Sequence, residues 1–270
     1  MIFADLGLAR RLEAAEGHAC AQFAEARKRL IPKSGSTWIR CAGTTVVFDG
    51  VGAPTTQTFG LGLFEDVTHA ALNEMEAFFK SHETSVVHEV CPLVGVEALA
   101  TLCKRGYRPI EVSNVMYRAV ERPTLETASN VRVRVIRADE ADLWSGVSAR
   151  GWTHGHPELE GFVRDMGALC AARQGSPCFL AEVDGQDGAA GVLIVHEGVA
   201  LFGGSSTVPE QRRRGLQGAL LGERMRYAAD AGCDLAMMVA EAGSGSQKNA
   251  ERKGFRVGYT RMKWRLALTE

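Results

Sequence analysis

No part of this chain is apolar for long enough to cross a bilayer. Its longest apolar runs, such as Gly191 to Val195, fall far short of the ~20 residues a span requires. The start, Met1-Ile2-Phe3-Ala4-Asp5, lacks the basic-then-apolar pattern of an export signal. Charge imbalance is missing too. A net charge of −1 gives no general pull on nucleic acid or on a membrane surface. The seven cysteines are odd in number and have no C-x-x-C spacing, so they read as reduced thiols of a cytoplasmic protein. Cys170, Cys178 and Cys233 read as small buried apolar residues rather than nucleophiles. What is present is an ordinary core-forming composition, 46% hydrophobic and 23% charged. At 270 residues, two domains are the expectation.

The stretch that organises the chain runs from Gly203 to Leu221, GGSSTVPEQRRRGLQGALL. An apolar run over 199–202 leads in, and a turn follows at Thr207-Val208-Pro209-Glu210. Then come three arginines, Gly215 and Gly218, and a helix with Leu220, Leu221, Met225 and Ala228 at 3–4 spacing. Physically this is an anion site. The first N–H groups of a helix have no internal partners and sit at the positive end of its dipole. Glycines let a ligand approach them, and arginines offer forked donors to phosphate. The competing reading is a solvated basic helix start.

Arg212-Arg213-Arg214-Gly215-Leu216-Gln217-Gly218 resembles the acyl-CoA pyrophosphate loop of the GNAT acyltransferase superfamily, Q/R-x-x-G-x-G/A. Arg212 and Gly215 match, while Gln217 stands where Gly or Ala is usual, with Gly218 one place later. Asn249-Ala250-Glu251-Arg252-Lys253-Gly254-Phe255 resembles the family's last helix and its Gly-Phe turn. The resemblance covers about the second half of the chain. It implies an α/β fold with a mixed, mainly antiparallel twisted sheet flanked by helices, and acetyl-CoA as cosubstrate without a metal.

Taken in order, 5–30 is a helix with Leu8, Leu12, Ala15, Ala19, Phe23, Ala26 and Leu30 on one side, stopped by Pro32. Strands are expected over 37–42, 44–48 and 55–63, a helix over 67–80, a strand over 85–90, a helix over 96–104 and a strand over 111–120. The linker falls at 121–130, with Pro123. The second half reads as a strand over 131–136, helices over 140–150 and 158–173, a hairpin over 178–196 and a strand over 199–207. The cofactor helix follows, then a strand over 235–240, a helix over 244–253 and two last strands over 255–268.

The halves echo each other. Gly106-Tyr107 answers Gly254-Phe255, each pair following a short helix and leading to an aromatic-basic pair, Tyr117-Arg118 and Trp264-Arg265. The expectation is two tandem GNAT-like domains, 1–122 and 130–270. At the same offset, Arg213-Arg214-Gly215 corresponds to Glu65-Asp66-Val67, and no arginine occurs from Gly43 to Ala100. Carboxylates would repel phosphate, so the first copy is expected to lack the cofactor and to shape the acceptor pocket.

By resemblance, free backbone groups of Ser206, Thr207 and Val208 would receive the pantetheine arm and thioester. The segment Arg212, Arg213, Arg214, Gly215, Leu216, Gln217 and Gly218 would hold the pyrophosphate. Ser246 and Asn249 would add cofactor contacts. Family members often carry a proton-donating Tyr where this chain has Ala250. Ser244 is then either an acid or a helix cap, and Glu241 either the base or an exposed strand-end carboxylate. Trp152, His154 and His156, in the loop Trp152-Thr153-His154-Gly155-His156, suit a polar or aromatic acceptor. Zinc is less suited there, with no Cys or carboxylate at ligand spacing. Acetyl-CoA and a small-molecule or peptide amine are the expected partners. Nucleic acid and membranes are not, and a homodimer stays open. A non-catalytic acyl-CoA sensor is the alternative.

Overall fold

The computed structural model describes residues 2–122, 130–154 and 156–267. Pro123 and most of the expected linker, Gly155 and Leu268 therefore lie outside the described residues. Two compact units divide the chain: Met1–Arg118 with Met237–Glu270, and Ala119–Ala236. This differs from the sequence expectation, which assigns all of 130–270 to one domain.

The first unit opens with α1 (Leu6–Leu30). Asp5 caps it, its Oδ1 accepting from Leu8 N at 2.9 Å, and Leu8, Leu12, Ala15, Ala19, Phe23 and Ala26 form its buried face. β1 (Thr37–Cys41) and β2 (Thr44–Phe48) make a hairpin. β3 (Gln57–Phe59) is shorter than expected, because the chain turns at Gly60 and Gly62. Then come α2 (His69–Ser81), β4 (Val86–Val90), α3 (Val96–Lys104) and β5 (Arg108–Ala119).

The second unit holds β6 (Val131–Val135), α4 (Ala141–Trp152), α5 (Glu160–Ala171), β7 (Cys178–Val183), β8 (Gln186–His196), β9 (Val199–Thr207) and α6 (Leu216–Asp230). Its strands pair antiparallel in the order β9-β8-β7-β6. Neighbouring residues of β8 look to opposite faces. A Cβ on Gly191 would meet Arg224 of α6, whereas Val192 lies against Gly204, on the side where Trp144 of α4 packs. The sheet is thus covered by α6 on one face and α4 on the other.

The chain returns to the first unit through β10 (Leu235–Glu241), α7 (Gly245–Arg252) and β11 (Arg256–Leu266). One long strand replaces the two expected over 255–268. It bends at register shifts near Val257/Tyr259 and Lys263/Trp264 and pairs antiparallel with both β4 and β5. The strand order there is β1-β2-β3-β4-β11-β5-β10, with β3 and β4 parallel. β11 is what draws residues 237–270 into the first unit.

A buried charge cluster anchors β11. Arg261, 2% exposed, reaches Glu13 (3.2 Å) and Glu16 (2.6 Å) of α1 and Glu89 (3.1 Å) of β4. Tyr259 OH donates to Glu13 Oε1 at 2.8 Å, while Glu13 Oε2 has no hydrogen-bond partner. Burial pushes the Glu13 carboxyl from 4.5 up to about 7, against the pull of Arg261. The folded state therefore holds a proton that the unfolded chain has released between those values. The resulting stabilisation is complete below about 4.5 and lost as pH rises through about 7. Urea denaturation between about pH 5 and 8 should show wild-type stability falling relative to Glu13→Gln across this window. A constant difference between the two proteins would refute it.

Candidate functional site

β9 leads through a short turn, Pro209–Gln211, to Arg212, Arg213, Arg214 and Gly215. Arg213 (φ 63°) and Gly215 (φ 83°) are both left-handed. A Cβ on Gly215 would find nothing within 4 Å, so the glycine is there for its backbone angle and not for room. Arg213 carries the strain of a non-glycine residue in this region, on the order of 1 kcal/mol.

Gly215 is the N-cap of α6, and no side chain caps the helix. The first intrahelical bond runs from Ala219 N to Gly215 O (3.0 Å). The N–H groups of Leu216, Gln217 and Gly218 therefore lack helical partners and stand at the positive end of the dipole. The three arginines around them differ in commitment. Arg214 donates to Gln211 Oε1 (2.6 Å) and pairs with Asp184, whose carboxyl is held below its usual range by Asn130 and by Arg214. Arg212 is exposed and makes a long contact with Thr207 O (3.4 Å). Arg213 makes no hydrogen bond or ion pair with the described residues.

Gln217, the departure from the motif, has a physical role. Its Nε2 donates to Ser206 O (2.9 Å) and Thr207 Oγ1 (2.7 Å), tying the start of α6 to the end of β9. Ser206 is buried and its hydroxyl donates to Ser148 O of α4 (3.2 Å). Gly151 of α4 presses on the same place, where a Cβ would stand 2.9 Å from Thr207 N. Not all the backbone groups expected to be free are free. Val208 N donates to Gly188 O (2.9 Å), because the chain hugs the β8 edge before turning. The Ser206 carbonyl is taken by Gln217.

The matching helix start in the first unit is built differently. Thr68 caps α2, its hydroxyl accepting from Ala71 N at 3.1 Å, and Glu65-Asp66-Val67 precede it. Where β3 meets β4, side chains fill the space. Thr58 Oγ1 lies 2.7 Å from His88 Nδ1, His88 Nε2 lies 3.1 Å from Tyr107 OH, and Tyr107 donates to Glu76 (3.0 Å). Burial pushes His88 down to about 3, so it is neutral. One of that helix's free N–H groups is thus already satisfied, and the Arg105 guanidinium near it, 3.2 Å from His69 Nδ1, is paired with Glu76.

The remaining candidates are scattered. Ser244 caps α7, accepting from Gln247 N at 3.2 Å, so the cap role is realised. Ser246 and Asn249 are exposed on α7. Ala250, in the place of the family's Tyr, is buried at 4% exposure and carries no proton to donate. Glu241 ends β10, exposed, on an open cleft of about 630 Å³ shared with Ile110, Glu111, Val112 and Ser113. Trp152 is 58% exposed, so it does not serve as core packing. His154 is exposed, and His156 Nδ1 lies 3.2 Å from Glu158 on the surface. Sequence reasoning missed Arg224, the buried guanidinium of α6. Its signal was a charged residue four after Leu220, within the helix's apolar spacing.

No family model matches the chain, and no curated protein does. Solved structures do. A GCN5-related N-acetyltransferase from Kribbella flavida superposes with a TM-score of 0.64 at 15% identity, covering 91% of this chain and 95% of its own. A tandem GNAT protein from the clavulanic acid biosynthesis pathway gives a TM-score of 0.62 at 12% identity, covering 100% of this chain and 98% of its own. This chain has the GNAT fold. A further GCN5-related N-acetyltransferase, from Sphaerobacter thermophilus, gives 0.54 at 17% identity over 86% of this chain and 76% of that one. At such identities the likeness lies in the backbone. On this fold the arginine-glycine motif occupies the junction between β9 and α6.

Proposed function

We propose that this protein is an acyl-CoA-dependent N-acyltransferase that moves an acetyl group from acetyl-CoA directly to an amine. The observation that carries the reading is the α6 start: a glycine N-cap, three N–H groups without helical partners and an Arg213 uncommitted among the described residues. These suit a pyrophosphate, with Arg212 beside them and Arg214 available on exchange from Asp184. Ser206, Thr207 and Val208 would flank the pantetheine arm, and Ser246 and Asn249 would add polar contacts. The 130–270 copy would be the acetyltransferase domain and the 1–122 copy cofactor-less. Its setting would be the cytoplasm, with neither nucleic acid nor membrane as partner.

In the reaction, the amine nitrogen gives up a proton and attacks the thioester carbon. The C–S bond then breaks and the thiolate leaves. Glu241, exposed on its cleft, is the proposed base. Ser244 accepts from Gln247 N, which leaves its own O–H able to donate toward the leaving sulfur. An alkyl thiol with a pKa near ~8.5 departs with little help. Trp152, His154 and His156 are proposed to meet the acceptor amine.

A second reading has its own support. Ala250 stands buried in the tyrosine's place, and Ser244 is occupied as a cap, which suits a non-catalytic acyl-CoA sensor. Turnover of acetyl-CoA with a panel of primary amines separates the two. The enzyme reading expects steady thiol release and, in Glu241→Gln, a kcat reduced about 10²-fold with the KM for acetyl-CoA unchanged. Tight binding without thiol release on any amine would leave the sensor.

A further inference from the structure

Arg224 lies on the face of α6 that meets the sheet, and is 2% exposed. Among the described residues no carboxylate pairs with it. Its guanidinium donates to Leu220 O (3.2 Å), Val192 O (3.2 Å), Gly203 O (3.3 Å) and Ser205 Oγ (2.8 Å). It also lies 5.2 Å from the centre of the Phe202 ring. Gly191 leaves it space, since a Cβ there would stand 3.0 Å from the guanidinium carbon. Burial pulls Arg224 down to about 10, so it stays charged at neutral pH without a counter-ion. Burying a charge this way is a poor route to stability, because apolar replacements of buried charges are often neutral or better.

Its partners explain what it does instead. The β8–β9 register runs Ala190↔Ser206 and then Val192↔Gly203, so Gly204 and Ser205 together oppose the single residue Gly191. This is a β-bulge, with Gly204 left-handed at φ 58°. A bulge disrupts the ladder locally, and Arg224 bonds the carbonyls of Val192 and Gly203 that flank it, together with the Ser205 hydroxyl. The guanidinium is a clamp on the bulge.

We propose that Arg224 is a positioning residue that fixes the bulged end of β9, Ser205 to Thr207, in the shape that receives the pantetheine arm of acyl-CoA. The inference rests on the acyl-CoA reading above. The nucleotide half of the ligand would be held by the N–H groups at the α6 start, which Arg224 does not contact. Loss of Arg224 should therefore fall mainly on the pantetheine half, with the Gln217 link to Ser206 and Thr207 passing little of it to the α6 start.

The test is calorimetric titration of wild type, Arg224→Met and Arg224→Lys with coenzyme A and with adenosine 3′-phosphate 5′-diphosphate, which is coenzyme A without its pantetheine arm. Arg224→Met should weaken coenzyme A at least tenfold (about 1.4 kcal/mol) and leave the nucleotide within twofold. Arg224→Lys should fall between, because an ammonium cannot reproduce the fork. If Arg224→Met does not fold, the ratio of the two affinities in Arg224→Lys decides. Equal losses for both ligands, or no loss for either, would overturn the positioning role while the acyl-CoA reading stands. Failure of wild type to bind coenzyme A would overturn both.

Discussion

Replacing Gly215 by aspartate is expected to weaken acetyl-CoA binding at least a hundredfold, about 2.7 kcal/mol, with little change in melting temperature. The two effects separate because they have different causes. Gly215 is left-handed at φ 83°, and Asp is among the residues that tolerate this best, at a cost of about 1 kcal/mol. A carboxylate at a helix N-terminus returns roughly 0.3–1 kcal/mol through the dipole. Nothing lies within 4 Å of the new Cβ, so no clash is added. Net stability should move by less than ~1 kcal/mol, a few degrees at this size. Binding has no such compensation. The carboxylate would stand beside the N–H groups of Leu216, Gln217 and Gly218 and repel phosphate. It would make α6 resemble α2, whose start is satisfied by Thr68 and preceded by Glu65 and Asp66. Calorimetry and a thermal melt measure both quantities. An affinity within threefold of wild type would contradict the assignment.

Arg261→Met should destabilise the first unit by about 3–5 kcal/mol, the usual cost of removing one partner from a buried ion cluster. Glu13 (1% exposed) would lose its cation, Glu89 (4%) would keep only Lys263 at 3.4 Å, and Glu16 would lose its closest partner. The loss is not one of volume, since Met refills much of the space beside Phe59, whose ring centre is 5.8 Å from the guanidinium. It also strikes a joint between distant parts of the sequence, because Arg261 binds α1 and β4 from the last strand. Converting Glu13 and Glu89 to Gln in the same protein should recover a good part of the loss, because no buried carboxyl then has to be neutralised or left without the guanidinium. Urea denaturation decides it. A loss below about 1 kcal/mol, or no recovery in the triple variant, would mean that the cluster does not hold β11.

What was legible in the sequence was local. The 3–4 spacing from Leu8 to Ala26 specified α1 and its buried face, and the run from Gly203 to Leu221 specified a strand, a turn and a helix start. Those features depend on neighbours within a few residues. The partners of β11 did not follow, because pairing with β4 and β5 joins residues far apart in the chain and leaves no periodicity to read. The long strand also hid its bends, which are register shifts and not turn residues. At the site, Arg212 to Gly218 could be read as an anion loop, but the different commitments of Arg213 and Arg214 depend on Asp184, on another turn. Arg224 was illegible as a site residue because its acceptors are main-chain carbonyls, which every sequence has.

One acyl-CoA site in this chain, at the start of α6, is what we propose. The most direct test is calorimetric titration of acetyl-CoA into wild type and into Arg213→Ala, which removes the uncommitted guanidinium and leaves the Arg214–Asp184 pair in place. One site per chain is expected, weakened at least tenfold, about 1.4 kcal/mol, by the substitution. Two sites per chain, or one site indifferent to Arg213, or no binding at all, would contradict it.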